Sequence, residues 1–406
     1  MKRNKRFSII LIGISLVVVL VGIYYGWHKN ESDISVWDET LAEGYDRKDL
    51  PKILNNGKMQ IIKVSANPEH GFSWPYYLVI PNGKYQKSNK DYKRYLMIET
   101  VNCGVTNNLE ETEKKALDDI LGGGSMCNQI AEQLDVPFIV PVFLRNEISY
   151  WDEEEGENYI YTHALDRDTA MMHLKFKNSN YGQELIKSFE ALNLDPYAFE
   201  HLDTQVIAMA DDAVAYLNRY DQNMESDKFF INGFSASGSF ADRLATLYPE
   251  RIKALATGAS LDDMMLPLVE YETEQLIYPI GIADYEEITG KQFNIDIYNQ
   301  VARLIYMGKD EDNDTLPYTD CYGERERRII TKLFGEDVLL RAEKMIDLYG
   351  EAGGKGVLIL DKGIKHASSD EMVNYVIKFF QSNRKGKEPV YPEVENKEQL
   401  EAVYYS

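Results

Sequence analysis

The stretch "KFFINGFSASGSFADRLATLYPERIKALATGA", residues 228–259, decides the architecture. It opens as a short apolar run, turns through Gly233-Phe234-Ser235-Ala236-Ser237-Gly238, continues as an amphipathic helix and returns as a second apolar run, "IKALAT". Two strands joined through a helix lie parallel in one sheet. A strand that enters a helix through so tight a turn brings the two backbones almost into contact. The residues two before and two after the turning residue must therefore be small. Ser235 meets this rule, with Gly233 before it, Ser237 after it and Gly238 giving further relief. Centring the turn on Ser237 would lose the leading glycine, and Ser239 stands beside Phe240 inside the helix. Ser235 is the serine that the turn presents.

The same alternation extends in both directions. "MQIIKV" and "YYLVI" read as an antiparallel pair with "PNGKYQKSNK" as turn chemistry. "RYLMIETV" (94–101) and "PFIVPVF" (137–143) read as buried strands, separated by a helix over about 110–134 that "LGGGS" is placed to break. A helix over 203–220 puts Val206, Ile207, Ala210, Val214 and Leu217 on one face. "ARLIYMG" (302–308), "GVLIL" (356–360) and a last helix over 369–381, with Ser368 and Glu371 spaced as a capping box, complete the pattern. Strands apolar on both faces and separated by helices imply an α/β fold, a mostly parallel sheet with helices on both faces. Residues 144–202 and 261–300 break the alternation and read as lid or pocket walls. The tail from 384 to 406 is charged, contains proline and reads as loosely packed.

Of the 406 residues, 44 are Lys or Arg and 66 are Asp or Glu, a formal charge of −22. A nucleic-acid-binding surface needs a basic footprint, so that class is excluded as a partner. Lys2, Arg3, Lys5, Arg6 and Lys29 are the charged groups of residues 1–30, and the remaining chain carries −27. Between them "FSIILIGISLVVVLVGIYYGW" (7–27) has no charge. Its helix would be about 31 Å long, one hydrocarbon thickness. Tyr24, Tyr25 and Trp27 suit an interfacial belt, and "KRNKR" predicts a cytoplasmic N-terminus. The expectation is a single-pass transmembrane anchor over 1–30, a juxtamembrane segment over 31–57 and an extracytoplasmic domain over 58–383, with a cleaved leader as the rival. Cys103, Cys127 and Cys321 are too few for a disulfide framework. Cys103 and Cys127 either pair outside the cell or are buried thiols.

A serine hydroxyl becomes a nucleophile only beside a base and near donors for the developing oxyanion. On a parallel sheet of this kind the partners follow in the order serine, acid, histidine. His28, His70, His163, His173 and His201 all precede Ser235, which leaves His366, just past "GVLIL", as the base. The acid belongs after "ARLIYMG", where "KDEDND" offers Glu311, with Asp312 and Asp310 as rivals. Asp310, Asp312 and Asp314 also have calcium-loop spacing, but Thr315 and Cys321 stand where such a loop needs Gly and Glu. The oxyanion donors are expected to be the N–H of Ala236 and one from the loop near Asn102, Cys103 or Gly104.

"GFSASG", the later acidic turn and the final "KH" loop resemble the α/β-hydrolase superfamily over roughly 58–383. "GFSASG", "LYPER" and "VNCGV" are most similar to polyhydroxybutyrate-depolymerase-like and feruloyl-esterase-like members. The resemblance implies Ser235 as nucleophile, His366 as base, an acid within 310–312, no cofactor, and a small or polymeric ester substrate. The chain departs from the family in Glu311 where Asp is usual and in lacking His-Gly in the oxyanion loop. The sequence thus reads as a membrane-anchored extracytoplasmic serine esterase. A peptidase or acyltransferase with the same triad, and an inactive surface-binding protein on the same fold, are the alternatives.

Overall fold

The computed structural model describes residues 35–38, 60–81, 94–100, 104–122, 126–146, 148–152, 156–177, 181–219, 223–260, 264–318 and 321–405. The expected span over 7–27 lies outside them, and among the described residues no helix is long and apolar enough to cross a membrane. The strands are β1 (Ser35–Asp38), β2 (Gln60–Val64), β3 (Tyr76–Ile80), β4 (Met97–Glu99), β5 (Phe138–Pro141), β6 (Ser149–Asp152), β7 (Gly156–Tyr159), β8 (Phe229–Phe234), β9 (Ile252–Gly258), β10 (Glu270–Tyr271), β11 (Glu274–Gln275), β12 (Ala302–Gly308), β13 (Gly356–Asp361) and β14 (Leu400–Tyr405).

Ten of these strands form one sheet in the order β1-β2-β3-β5-β4-β8-β9-β12-β13-β14. From β5 to β13 every pairing is parallel. β3 runs antiparallel to both its neighbours. One reversed strand near the start, the swapped order β5-β4 and a strand–serine–helix turn at the centre make this the α/β-hydrolase fold. The expected antiparallel pair is β2 and β3, and the expected helix over 110–134 is two, Leu109–Gly122 and Met126–Leu134.

Alternation along each strand divides the core between the two faces. Ile62, Leu78, Ile231 and Leu255 pack with the helix Leu202–Arg219 and with the helix that follows β8, Ala236–Leu247. Their neighbours Ile61, Val79, Phe230 and Ala256 pack with Met126–Leu134 and Asp370–Ser382 on the other side. The helices Glu324–Phe334 and Val338–Glu351 cover Ile305, Met307 and Leu358. Within 144–202, Leu144, Leu165, Leu185, Phe189 and Phe199 are buried and belong to the main core.

Every residue of Ala236–Leu247 is buried, including Asp242 and Arg243. Buried charges require partners. Asp242 Oδ1 accepts from Arg303 Nη1 at 3.0 Å, and Oδ2 accepts from Met265 N at 2.9 Å. The Arg303 guanidinium lies 3.9 Å over the Tyr298 ring and donates to Ala245 O at 3.1 Å. Burial pushes the Asp242 carboxyl above its usual range in spite of Arg303. The pair therefore adds little net stability while intact, but removing one partner strands the other charge. Asp242→Ala is expected to cost about 3–5 kcal/mol. Urea denaturation checks it: a midpoint unchanged from wild type would show that Arg303 finds another partner.

The expectation of a loosely packed tail fails. Asn383 Oδ1 accepts from Val390 N at 2.9 Å, and Tyr375 Oη donates to Pro392 O at 2.7 Å. The chain then returns as β14, antiparallel to β13 along its whole length. Without it β13 would present a row of unpaired backbone groups, and "LEAVYY" has the β-branched and aromatic content to cover them. The start of the last helix also differs by one residue from the expected capping box. The N-cap is Ser369, whose Oγ accepts from Met372 N at 3.2 Å. Asp361, at the end of β13, fixes Ser369 by accepting from its N at 2.8 Å and its Oγ at 3.0 Å.

Candidate active site

The turn after β8 places Ser235 at φ 59°, ψ −132°, which lies away even from the left-handed helical region. Such a conformation costs on the order of 1–3 kcal/mol and persists only where its surroundings enforce it. Here Ser235 N donates to Gly258 O at 2.8 Å, while Ser235 O accepts from Gly238 N at 2.7 Å and Ser239 N at 3.1 Å. The turn is held from the neighbouring strand and from its own helix. Gly233 is needed because a Cβ there would lie 2.1 Å from Ser237 O. Gly238 is needed for a second reason, since a Cβ there would lie 2.7 Å from Ser260 Oγ.

The two serines of the turn have different surroundings. Ser237 Oγ accepts from Phe234 N at 2.9 Å and donates to Phe234 O at 2.8 Å, bracing the turn from within. Ser235, half-buried, spends no side-chain bond on capping its helix. Ala236, also buried, opens that helix, where an N–H has no intrahelical acceptor. Of the other expected oxyanion residues, Asn102 and Cys103 lie outside the described residues, as does any pairing of Cys103 with Cys127, while Gly104 is described and exposed. Thr100, at the described end of that segment, donates from Oγ1 to Ser237 O at 3.4 Å, so β4 ends against the turn.

The acid and histidine come from two loops joined by their backbones. Lys309 N donates to Asp361 O at 2.8 Å and Asp310 N to Ile364 O at 2.9 Å. Gly308 lets the loops close, because a Cβ there would lie 2.1 Å from Lys365 O. This brings Glu311 Oε2 and Oε1 to 3.1 and 3.2 Å from His366 Nδ1. Glu311 is 4 % exposed, and its Oε1 also accepts the N–H groups of Asp312 at 3.1 Å and Asn313 at 3.0 Å. A carboxylate only accepts, so the Nδ1 proton points at Glu311 and the neutral ring presents Nε2 as its acceptor. The His366 ring packs against Phe234, the residue before Ser235, at 5.1 Å between centroids.

Asp312, the rival acid, turns away from His366. It pairs with Lys365 at the surface and raises the pH at which that ammonium loses its proton. Asp314 pairs with the buried Arg341. The carboxylates of Asp312 and Asp314 thus face different cations and do not converge as a calcium loop would need. Sequence reasoning missed Asn313, whose Nδ2 lies 3.4 Å from His366 Nε2, and the Gly308 contact. The glycine closing "ARLIYMG" was the available signal for the second. Gly308→Ala would push the two loops apart and draw Glu311 off His366. An activity loss of at least about 10²-fold is expected, in line with the cost of a 1 Å misplacement. Steady-state ester turnover checks it, and wild-type activity in this variant would mean that the loops part without consequence.

No family model and no curated protein matches the chain. Among solved structures it is similar to a poly(3-hydroxybutyrate) depolymerase from Bordetella parapertussis, at 14 % identity over 85 % of this chain and 96 % of that one, with a TM-score of 0.45. It is also similar to a poly(aspartic acid) hydrolase from Sphingomonas sp. KT-1, at 14 % identity over 76 % and 94 % of the two chains, with a TM-score of 0.44. A third is an S-formylglutathione hydrolase from Agrobacterium tumefaciens, at 12 % identity over 81 % and 95 %, with a TM-score of 0.39. These likenesses are too distant to carry an argument about activity, and the fold assignment rests on the strand order.

Proposed function

We propose that the chain is a serine hydrolase acting on carboxylic esters, with Ser235 as nucleophile, His366 as general base and Glu311 as the acid that orients it. The observation that carries this reading is the buried Glu311 carboxylate on Nδ1 of a histidine whose ring packs beside the strained turn of Ser235. In the reaction Ser235 Oγ bonds to the ester carbonyl carbon as its proton passes to His366 Nε2. Glu311 stabilises the imidazolium through Nδ1–H. Ala236 N–H and a donor from the Asn102–Cys103 loop hold the oxyanion. The imidazolium returns its proton to the departing alkoxide, and water, deprotonated by the same ring, then releases the acid and restores Ser235.

The apolar run 7–27 with its basic flank supports a location outside the cell, tethered to the membrane. A charge of −27 beyond residue 30 repels polyanionic substrates and leaves neutral and cationic esters favoured. Protease digestion of intact cells tests the topology: a domain protected from added protease would rule out the outward orientation.

The catalytic assignment is tested by labelling the full chain, in detergent, with a fluorophosphonate. Labelling is expected in wild type and in Ser237→Ala, and absent in Ser235→Ala. A folded wild-type protein that takes no label would overturn the hydrolase reading, and loss of label only in Ser237→Ala would move the nucleophile.

A further inference from the structure

Both ring nitrogens of His366 are engaged by one short loop. Glu311 takes Nδ1–H, and two residues later Asn313 Nδ2 stands 3.4 Å from Nε2. Glu311 also fixes the backbone of Asn313, whose N–H donates to Glu311 Oε1 at 3.0 Å. With the ring proton on Nδ1, Nε2 offers a lone pair, and an amide nitrogen can only donate. The opposite amide orientation would set two acceptors against each other. A protonated ring would set two donors against each other. With the amide nitrogen facing Nε2 the contact suits the neutral ring, and it occupies the lone pair that receives the Ser235 proton in the proposed reaction.

We propose that Asn313 is a positioning residue that caps His366 Nε2 in the resting protein and has to release it before Ser235 can be deprotonated. This inference rests on the serine-hydrolase reading. The cap holds the ring square to Glu311 against Phe234 while no substrate is present, and the release adds a step to the reaction. Once the proton has moved, Nε2–H repels the amide nitrogen. Asn313 then withdraws or turns its carbonyl oxygen to accept from the imidazolium.

A net hydrogen bond is worth about 0.5–1.5 kcal/mol, so its removal speeds a proton-transfer-limited step by about 2- to 10-fold. The test compares wild type with Asn313→Ala and with Asn313→Leu, which is close in shape and has no donor, as full chains in detergent at one fixed pH. The second-order rate of fluorophosphonate labelling is expected to rise about 2- to 10-fold in both variants. A residue with a purely structural role would lower it. The ¹⁵N signals of the His366 ring, assigned by their loss in His366→Gln, give a readout that needs no activity. The Nε2 signal is expected to move in both variants while the Nδ1 signal stays on Glu311. Labelling that slows or stays unchanged, or an Nε2 signal that does not move, overturns the proposal. If wild type takes no label at all, the hydrolase reading fails, while the ring signals still decide whether the cap exists.

Discussion

Ester turnover in Ser235→Ala is expected to fall by about 10⁶-fold, the scale on which loss of a triad serine is felt in serine hydrolases. The residue is not needed for folding: its side chain does not cap the helix Ala236–Leu247, and the turn is held by backbone bonds to Gly258, Gly238 and Ser239. Urea denaturation should therefore show Ser235→Ala as stable as wild type. Ser235→Gly should be more stable, because glycine accepts positive φ without strain, with a gain on the order of 1 kcal/mol. Function and stability then oppose each other at a single position, as expected where strain is used to present a nucleophile. An alanine variant that keeps more than a hundredth of the activity would remove Ser235 from the mechanism. Equal stability of the glycine and alanine variants would remove strain from the account.

Glu311→Gln is expected to lower kcat by about 10⁴-fold while leaving the fold intact. The carboxamide keeps an oxygen for the N–H groups of Asp312 and Asn313, so the loop retains its anchors. It loses the charge that stabilises the imidazolium, and its amide nitrogen competes for the wrong ring tautomer. Asp312→Asn is the paired control. Asp312 is exposed and faces Lys365, and exposed pairs contribute about 0–1 kcal/mol, so turnover should remain within about twofold of wild type. The reverse pattern, with Asp312→Asn inactive and Glu311→Gln active, would assign the acid to the other residue. Glu311→Asp separates reach from charge: a shortened side chain is expected to leave His366 loosely held, with activity between those of wild type and Glu311→Gln.

Much of this site was legible in the chain because its constraints are local. The steric rule that selects Ser235 needs a strand, a helix and small residues at fixed spacing, and all three stand within residues 228–247. His366 followed from chain order, since every other histidine precedes the serine. The central strands followed from apolar runs between helices, whose positions are set by burial on both faces. At the margins the same reasoning weakened. The polar and charged residues of 384–399 masked the strand β14, because its pairing with β13 is a contact between edges and not a local pattern. The cap of the last helix fell on Ser369 because Asp361, eight residues earlier, claims its hydroxyl.

The sequence by itself singled out Ser235, His366 and the apolar central strands of a mostly parallel sheet, because each rests on spacing along one segment or on order along the chain, while the order of those strands in the sheet came from the structure. Only the tertiary structure shows which acid of "KDEDND" meets His366. All lie on one short loop, and composition cannot say which carboxylate turns inward. Backbone bonds between the loops after β12 and β13, made close by Gly308, bury Glu311 on His366, send Asp312 out to Lys365 and bring Asn313 to the other ring nitrogen. The direction of a side chain in a loop is fixed by what that loop is packed against, and here that is a second loop 55 residues further along the chain.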